Sequence, residues 1–311
     1  MRAVVLRDLG LGDLLVAVPA LRLLRRALPD HEITLVAPAA LSPVVARIEA
    51  VDSHVSSCGP SRGANCSHTA VNLHGKGPES HARLEALEPA VRIGHAAPGW
   101  DGPSWVDDPT VPERRRWTDL LAATGLVSPG DARDGADDLA LPGRRAVPGG
   151  PVVVHPGAAY GSKRWPPERF AACAAALHRR GRAVVVTGGT DERRLTAEVV
   201  ARAGLPADAD LGGRTDLAGL LDLVAAASLV LAGDTGVSHV ATAFGTPSVT
   251  LFGPVPATQW GPPPGGPHVV LGDDTARRGE RFAADPDPAL LAVTPDQVLA
   301  AIPSPARAVP A

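Results

Sequence analysis

The chain has 311 residues, 45% of them apolar and 20% charged, the balance of a globular protein and about the length of two domains. Thirty basic against thirty-three acidic residues leave a net charge of −3, so neither a general polyanion-binding surface nor a nucleic-acid partner is expected. Cys58, Cys66 and Cys173 cannot form a fully paired framework, which points to a reducing compartment, and Cys58, Cys66 and His68 fit no common zinc spacing.

From the N-terminus, MRAVVLRDLG is too short and too soon charged for a signal peptide, so a cytoplasmic location is expected. Ala3 to Arg7 is an apolar run suited to a buried parallel strand, followed by the glycine-punctuated turn DLGLGD. Asp13 opens a helix to about Ala27, with Leu14, Leu15, Val18, Leu21 and Leu24 at helical spacing. Pro19 inside it should kink the helix or confine its regular part to the residues beyond. Strands are expected at Glu32 to Ala37, Ala70 to Leu73 and Val91 to Ile93. Helices are expected at Ser42 to Glu49, Pro78 to Leu87 and Pro112 to Thr124.

The stretch from Asp131 to Pro151 is rich in Gly, Pro and charge without sustained periodicity and reads as a linker. The expected domains are therefore 1–148 and 149–311. In the second, strands are expected at Val152 to His155, Ala183 to Thr187, Leu229 to Ala232 and Ser248 to Phe252. Helices are expected at Pro166 to Arg180, Asp191 to Ala203, Leu217 to Ala227 and Thr235 to Phe244. A last helix, Thr294 to Ile302, has Thr294 as its N-cap and is a candidate to pack back on the first domain. Thr235 to about Pro267 is uncharged, but Gly245, Pro247, Gly253 and Pro254 break it, so no spanning helix is expected. Two successive strand–helix series predict an α/β chain of two doubly wound, Rossmann-like parallel-sheet domains facing a central cleft, with ligand at the carboxyl ends of the strands.

Four loops at strand ends carry candidate chemistry. In Gly10-Leu11-Gly12-Asp13 the two glycines allow a tight turn, Gly12 is a candidate donor contact, and Asp13 is either a helix N-cap or a carboxylate at the ligand's edge. Only Gly10 and Gly12 fit a dinucleotide fingerprint, because Leu15 stands where its third glycine belongs. The loop HPGAAYGSKRWP, His155 to Pro166, offers backbone N–H groups and a helix N-terminus to an anion. Lys163 adds a point charge, Arg164 a planar one, and Trp165 either packs beneath the loop or stacks on a ligand; the alternative is a solvated surface turn. In TGGTDER, Asp191 or Glu192 can accept from ribose hydroxyls; the alternative is helix capping by Thr190 and Asp191, with Glu192 suited to the helix dipole. In AGDTGVSHVATAFGTP, Asp234 ends a strand, and Thr235, Gly236, Ser238 and His239 fall in the first turn of a helix able to hold phosphate. Asp208-Ala209-Asp210 and Asp285-Pro286-Asp287 have D-x-D spacing but lie in Ala/Pro-rich loops and read as solvated turns.

The segments DTGVSH, LFGPVPATQWGP, SKRWPPERF and GDLLVAVPALRLLRRALP, with VNLHGKGPESHARLEALEPAVRIGH, resemble glycosyltransferase family 9, the ADP-heptose:lipopolysaccharide heptosyltransferases and their relatives. The resemblance implies GT-B architecture and an inverting, metal-independent transfer of a heptose-like sugar from an ADP-sugar to a glycan, glycolipid or glycoside hydroxyl. It makes Asp13 the general base and Lys163 the cation that neutralises the diphosphate. It also implies that Asp234, Thr235 and Gly236 hold the donor's sugar and phosphates, that His239 supports that loop, and that Glu192 or Asp191 takes the ribose. Some heptosyltransferases carry hydroxyl residues where this chain has Ala158 and Ala159, which leaves Tyr160 and Ser162, or backbone N–H groups alone, to meet the phosphates. No cofactor beyond the donor is implied, and transient contact with a membrane surface stays open. A nucleotide-sugar epimerase or hydrolase, or a non-catalytic nucleotide-sugar binding protein, are the alternatives. The chain has 28 Arg but only Lys76 and Lys163 as lysines, the mark of a high-GC coding background, and of the two only Lys163 lies in such a loop.

Overall fold

The computed structural model describes residues 1–56, 68–143 and 149–302. Cys58 and Cys66, weighed above as ligands, lie outside the described residues. The chain divides into two compact units, Met1–Leu141 and Pro142–Ala311.

In the first unit the order is β1 (Arg2–Leu6), α1 (Leu11–Ala27), β2 (Glu32–Val36), α2 (Ser42–Val45), β3 (Ser53–Val55), β4 (His68–Asn72), α3 (Glu79–Glu85), β5 (Val91–Ile93), α4 (Glu113–Ala123) and α5 (Pro129–Gly135). The strands pair in parallel in the order β3-β2-β1-β4-β5. Central β1 buries Ala3, Val4, Val5 and Leu6 almost completely, as a strand covered on both faces must. Helix α1 packs on α4 and α5 through its apolar face. It begins two residues earlier than expected and continues through Pro19, so its regular part is not confined to the residues beyond. The burial of Leu14, Leu15, Val18 and Leu21 on both sides of the proline holds the helix across the missing hydrogen bond. Helix α5 occupies part of the expected linker. Its local signal is Ser128, whose side chain accepts from the Asp131 N–H, followed by a proline in the first turn.

The second unit runs β6 (Val152–His155), α6 (Pro167–Arg179), β7 (Val184–Val186), α7 (Arg193–Ala203), α8 (Leu217–Ala226), β8 (Leu229–Gly233), α9 (Gly236–Phe244), β9 (Ser248–Leu251), α10 (Ala257–Trp260), β10 (His268–Leu271), α11 (Pro288–Leu291) and α12 (Pro295–Ala301). Its sheet is again parallel, in the order β10-β9-β8-β6-β7. The core joins Val152, Val154, Leu229 and Leu231 of the central strands to Trp165, Phe170 and Leu177. Trp165 packs beneath its loop, its Nε1 donating to the Val293 carbonyl, so it is not a stacking platform. Helix α12 packs on α6 with Val298 in this unit's core, and Thr294 and Gln297 form a reciprocal capping box at its start. Cys173 is a buried free thiol pushed up to about 12 by burial, with Asp296 adding to it. None of the described helices is long and apolar enough to cross a membrane.

Five histidines, His74, His81, His95, His155 and His268, are held below the ordinary imidazole value, in each case first by burial. The unfolded chain therefore takes up protons before the folded one does. The resulting stability is complete above about pH 6.5 and is lost as the pH falls through the lower, folded values. The thermal midpoint should fall as the pH drops from about 7.5 to about 5, well before the carboxylates titrate. A midpoint that stays flat across that window in scanning calorimetry would contradict this.

Candidate functional site

In a doubly wound sheet, ligand sites form at the carboxyl ends of the strands where the winding direction reverses. The strand orders put that reversal between β1 and β4 in the first unit and between β6 and β8 in the second. Asp13 lies just past β1 in the first unit. Lys163 and Asp234 lie past β6 and β8 in the second.

In the first unit Asp13 is the third residue of α1. Gly10 occupies the N-cap position with no side-chain cap bond, so the capping alternative for Asp13 does not hold. Gly12 sits in the same first turn. The carboxylate faces Arg7 across 3.5 Å, with the Arg7 side chain 1% exposed and that of Asp13 34% exposed. Arg7 Nε donates to the Asp13 carbonyl at 2.9 Å and Nη1 to the Leu73 carbonyl at 2.5 Å, while its Cζ lies 4.6 Å from the centroid of the Trp117 ring. Burial lowers the Arg7 pKa, and Asp13 and then Glu113 oppose that shift. A buried guanidinium thus anchors both the backbone and the charge of the Asp13 turn. The sequence signal was a charged residue closing an apolar strand, since a buried charge needs partners. His74, past β4, accepts the Asp8 N–H at Nδ1 (3.2 Å), which leaves Nε2 to carry the proton of the neutral ring. Asp8 in turn pairs with Arg83 at 3.0 Å.

In the second unit Asp234 is almost fully buried. Its Oδ2 receives Lys163 Nζ at 2.6 Å, and its Oδ1 lies 3.8 Å from His239 Nε2. Both residues are delivered by backbone packing: Gly233, the last residue of β8, lies so close to the Lys163 carbonyl that an added Cβ would be 3.0 Å from it. Thr235 takes the N-cap position of α9 in extended conformation without capping it, and its buried Oγ1 has no hydrogen-bond partner among the described residues. Gly236 opens the helix, and the Ser238 hydroxyl donates to the Thr235 carbonyl at 2.7 Å. The first N–H groups of α9, which a helix cannot satisfy internally, lie beside this charged set. His239 also stands edge-on to Trp260, ring centroids 6.1 Å apart.

The remaining expected contacts divide. Arg164 Nε donates to the Ala158 carbonyl at 2.9 Å, which braces the loop. Tyr160 is exposed and meets Phe282 edge-on. Ser162 is fully buried and its hydroxyl donates to the Arg281 carbonyl at 2.6 Å, so its side chain is turned into the protein. Asp191 is exposed. Glu192 caps its own turn by accepting the Gly189 N–H at 2.8 Å, and its carboxylate lies over Gly157, past β6. A Cβ on Gly157 would sit 2.0 Å from Glu192 Oε1, so Gly157→Ala must swing Glu192 away and break the cap. Chemical denaturation should show about 1 kcal/mol lost in that variant; wild-type stability would contradict the packing. His155, not anticipated as part of the site, bonds Thr187 Oγ1 through Nδ1 at 3.1 Å, with burial lowering its pKa against the nearby Glu192 charge.

Of the two D-x-D spacings, the second is not a solvated turn. Asp287 is fully buried and accepts the N–H groups of Arg278, Gly279 and Ala289 at 3.0–3.3 Å. Asp208 is exposed, and Asp210 accepts the Gly212 N–H. Among the described residues no group of three or more His, Cys, Asp or Glu is placed to hold a metal ion.

Residues 130–275 match the family model described as glycosyltransferase family 9 (heptosyltransferase). Lipopolysaccharide heptosyltransferase 3 of Escherichia coli is 30% identical over 113 residues, 36% of this chain and 33% of that protein, so the matched stretch spans about a third of the relative. Over nearly the whole chain the fold is that of two solved structures, each 21% identical. The crystal structure of the glycosyl transferase family 9 from Veillonella parvula has a TM-score of 0.76, covering 96% of this chain and 95% of the other. That of E. coli ADP-heptose lps heptosyltransferase II has a TM-score of 0.73, covering 97% of both.

Proposed function

We propose, on the premise that residues 130–275 belong to glycosyltransferase family 9, that this chain is a glycosyltransferase moving a heptose-like sugar from an ADP-sugar to a hydroxyl of a glycan, glycolipid or glycoside. The observation that carries the reading is the Lys163–Asp234–His239 set beside the open N-terminus of α9, at the winding reversal of the second sheet.

The chemistry follows from charge. As the anomeric carbon–oxygen bond to the diphosphate breaks, negative charge grows on the leaving phosphate. Lys163 and the α9 N–H groups offer fixed positive charge to receive it, work that a bound divalent ion could otherwise do. Asp234 accepts from sugar hydroxyls of the donor, with Lys163 and His239 balancing its charge. Thr235 Oγ1, otherwise unpaired, meets a donor oxygen. Glu192 takes the ribose once its cap is traded for the ligand, and Asp191 is the exposed second carboxylate of that turn. Asp13 removes the acceptor proton as the acceptor oxygen bonds to the anomeric carbon, in one in-line displacement with inversion. ADP leaves, and Asp13 returns the proton to solvent. The donor is the only small-molecule requirement in this reading, the acceptor is a glycan-like partner, and the place of work is the cytoplasm.

A donor panel of ADP-heptose, ADP-glucose, a UDP-sugar and a GDP-sugar, read by binding calorimetry, tests the reading. ADP-linked sugars should bind at least about tenfold more tightly than the others, the discrimination expected of a site fitted to one base. Failure to bind any ADP-sugar would overturn the proposal.

A further inference from the structure

Gly161–Lys163 is a single 3₁₀ turn, closed by the Lys163 N–H to the Tyr160 carbonyl and the Arg164 N–H to the Gly161 carbonyl, and so short an element needs outside support to deliver the Lys163 ammonium to one spot. It is held from outside, by the segment 281–287 between β10 and α11. Every polar group of Ser162 is taken by this segment: the N–H donates to the Ala283 carbonyl (2.9 Å), the hydroxyl to the Arg281 carbonyl (2.6 Å), and the carbonyl accepts the Asp287 N–H (3.1 Å). Gly161 lies flat on the Ala284 backbone, where an added Cβ would come within 1.6 Å of the carbonyl oxygen. The Tyr160 and Phe282 rings meet edge-on at 4.8 Å just before the turn.

The segment is itself pinned, although it contains no helix or strand. The buried Asp287 carboxylate gathers the N–H groups of Arg278 and Gly279 on one side and Ala289 on the other. Arg277 Nη1 donates to the Gly253 and Val255 carbonyls, and Arg281 Nη2 to Gln259 Oε1 at 3.1 Å. A hydroxyl and a carboxylate that both point away from the donor loops are thereby tied to the position of one cation.

We infer that segment 281–287 is a brace for Lys163, and that Ser162 and Asp287 are positioning residues for nucleotide binding, acting through that lysine. The inference rests on the proposed reading that Lys163 meets a nucleoside diphosphate. ADP is the probe. Titration calorimetry of the full chain compares the wild type with Ser162→Ala, Lys163→Met and the double variant, with thermal midpoints recorded alongside. Ser162→Ala should weaken ADP binding about fivefold to tenfold, the effect of one lost buried hydrogen bond. In the Lys163→Met background the same change should alter ADP affinity less than about twofold, because the group it positions is gone. A general loosening of the fold would cost affinity in both backgrounds. Asp287→Asn, which leaves Ser162 intact and loosens the segment instead, carries the same prediction should Ser162→Ala not fold.

Wild-type ADP affinity in Ser162→Ala or Asp287→Asn, or an equal loss in both backgrounds, overturns the brace alone. If the wild type does not bind ADP, or Lys163→Met binds it as well as the wild type, the nucleotide reading itself falls and takes the inference with it.

Discussion

Asp13→Asn is expected to lower sugar transfer about 10²–10⁴-fold, the usual contribution of a positioned general base, while ADP affinity stays within about twofold of wild type. The geometry separates the two effects. Asp13 belongs to the first unit, whereas the residues proposed to hold the nucleotide belong to the second. The carboxylate is open to solvent on one side, as proton uptake requires, and Arg7 is sealed behind it. The nearby His74 is a poor substitute: its Nδ1 is occupied by the Asp8 N–H, and burial, then Arg7 and Arg83, hold it below the ordinary imidazole value. Asp8, Arg83 and Glu113 complete the charged surroundings, and Asp8 is already paired with Arg83. Steady-state transfer rates with ADP-heptose, together with ADP titrations of both proteins, provide the check. Turnover at the wild-type rate in Asp13→Asn would remove Asp13 from the chemistry.

Lys163→Met should produce two losses at once. A charge-assisted hydrogen bond to a phosphate contributes about 1.5–3 kcal/mol, so ADP should bind about 10–100-fold more weakly. The second loss is one of stability, because Asp234 is 3% exposed and among the described residues would keep His239, at 3.8 Å, as its remaining ion-pair partner. Removing one member of a buried ion pair costs about 3–5 kcal/mol, chiefly by stranding the other. The two losses can be told apart by adding Asp234→Asn. Neutralising the stranded carboxylate should recover much of the thermal midpoint but none of the ADP affinity. Full ADP affinity in either variant would refute the diphosphate role. Lys163→Arg should not rescue binding fully, since a planar fork does not reproduce a compact ammonium held against Asp234.

The central strands of both sheets were legible because parallel strands covered on both faces read as unbroken apolar runs, such as Ala3 to Leu6 and Val152 to Val154. The strands that escaped, β3 and β10, are short, lie at sheet edges and carry half-exposed polar positions (Ser53 and His54 in one, His268 in the other). Their apolar pattern is accordingly faint, and the Pro/Gly-rich stretch before His268 hides β10 further. The site loops were legible for a different reason. The carboxyl ends of parallel strands are where a doubly wound sheet presents its ligand face, so the polar residues Asp13, Lys163 and Asp234 in those loops stood out. What the one-dimensional pattern could not show was which way each side chain turns. Ser162 has the composition of a phosphate contact and is instead folded into the protein, and Asp287 looked like a surface carboxylate and is a buried knot. The anchoring role of Arg7 is only partly legible, because beside nearby Asp13 its partners Leu73 and Trp117 are 66 and 110 positions away and meet it only in the fold.

The most direct measurement of the proposed activity follows both products in one reaction. The full chain is incubated with isotopically labelled ADP-heptose and a set of glycan, glycolipid and glycoside acceptors, and released ADP and acceptor-linked label are counted together. One labelled sugar is expected on an acceptor for each ADP released, with both signals falling in parallel in Asp13→Asn. ADP accompanied by free sugar would identify a hydrolase, and tight ADP-heptose binding with no ADP release on any acceptor would mark a binding protein; either result would contradict the assignment of a glycosyltransferase.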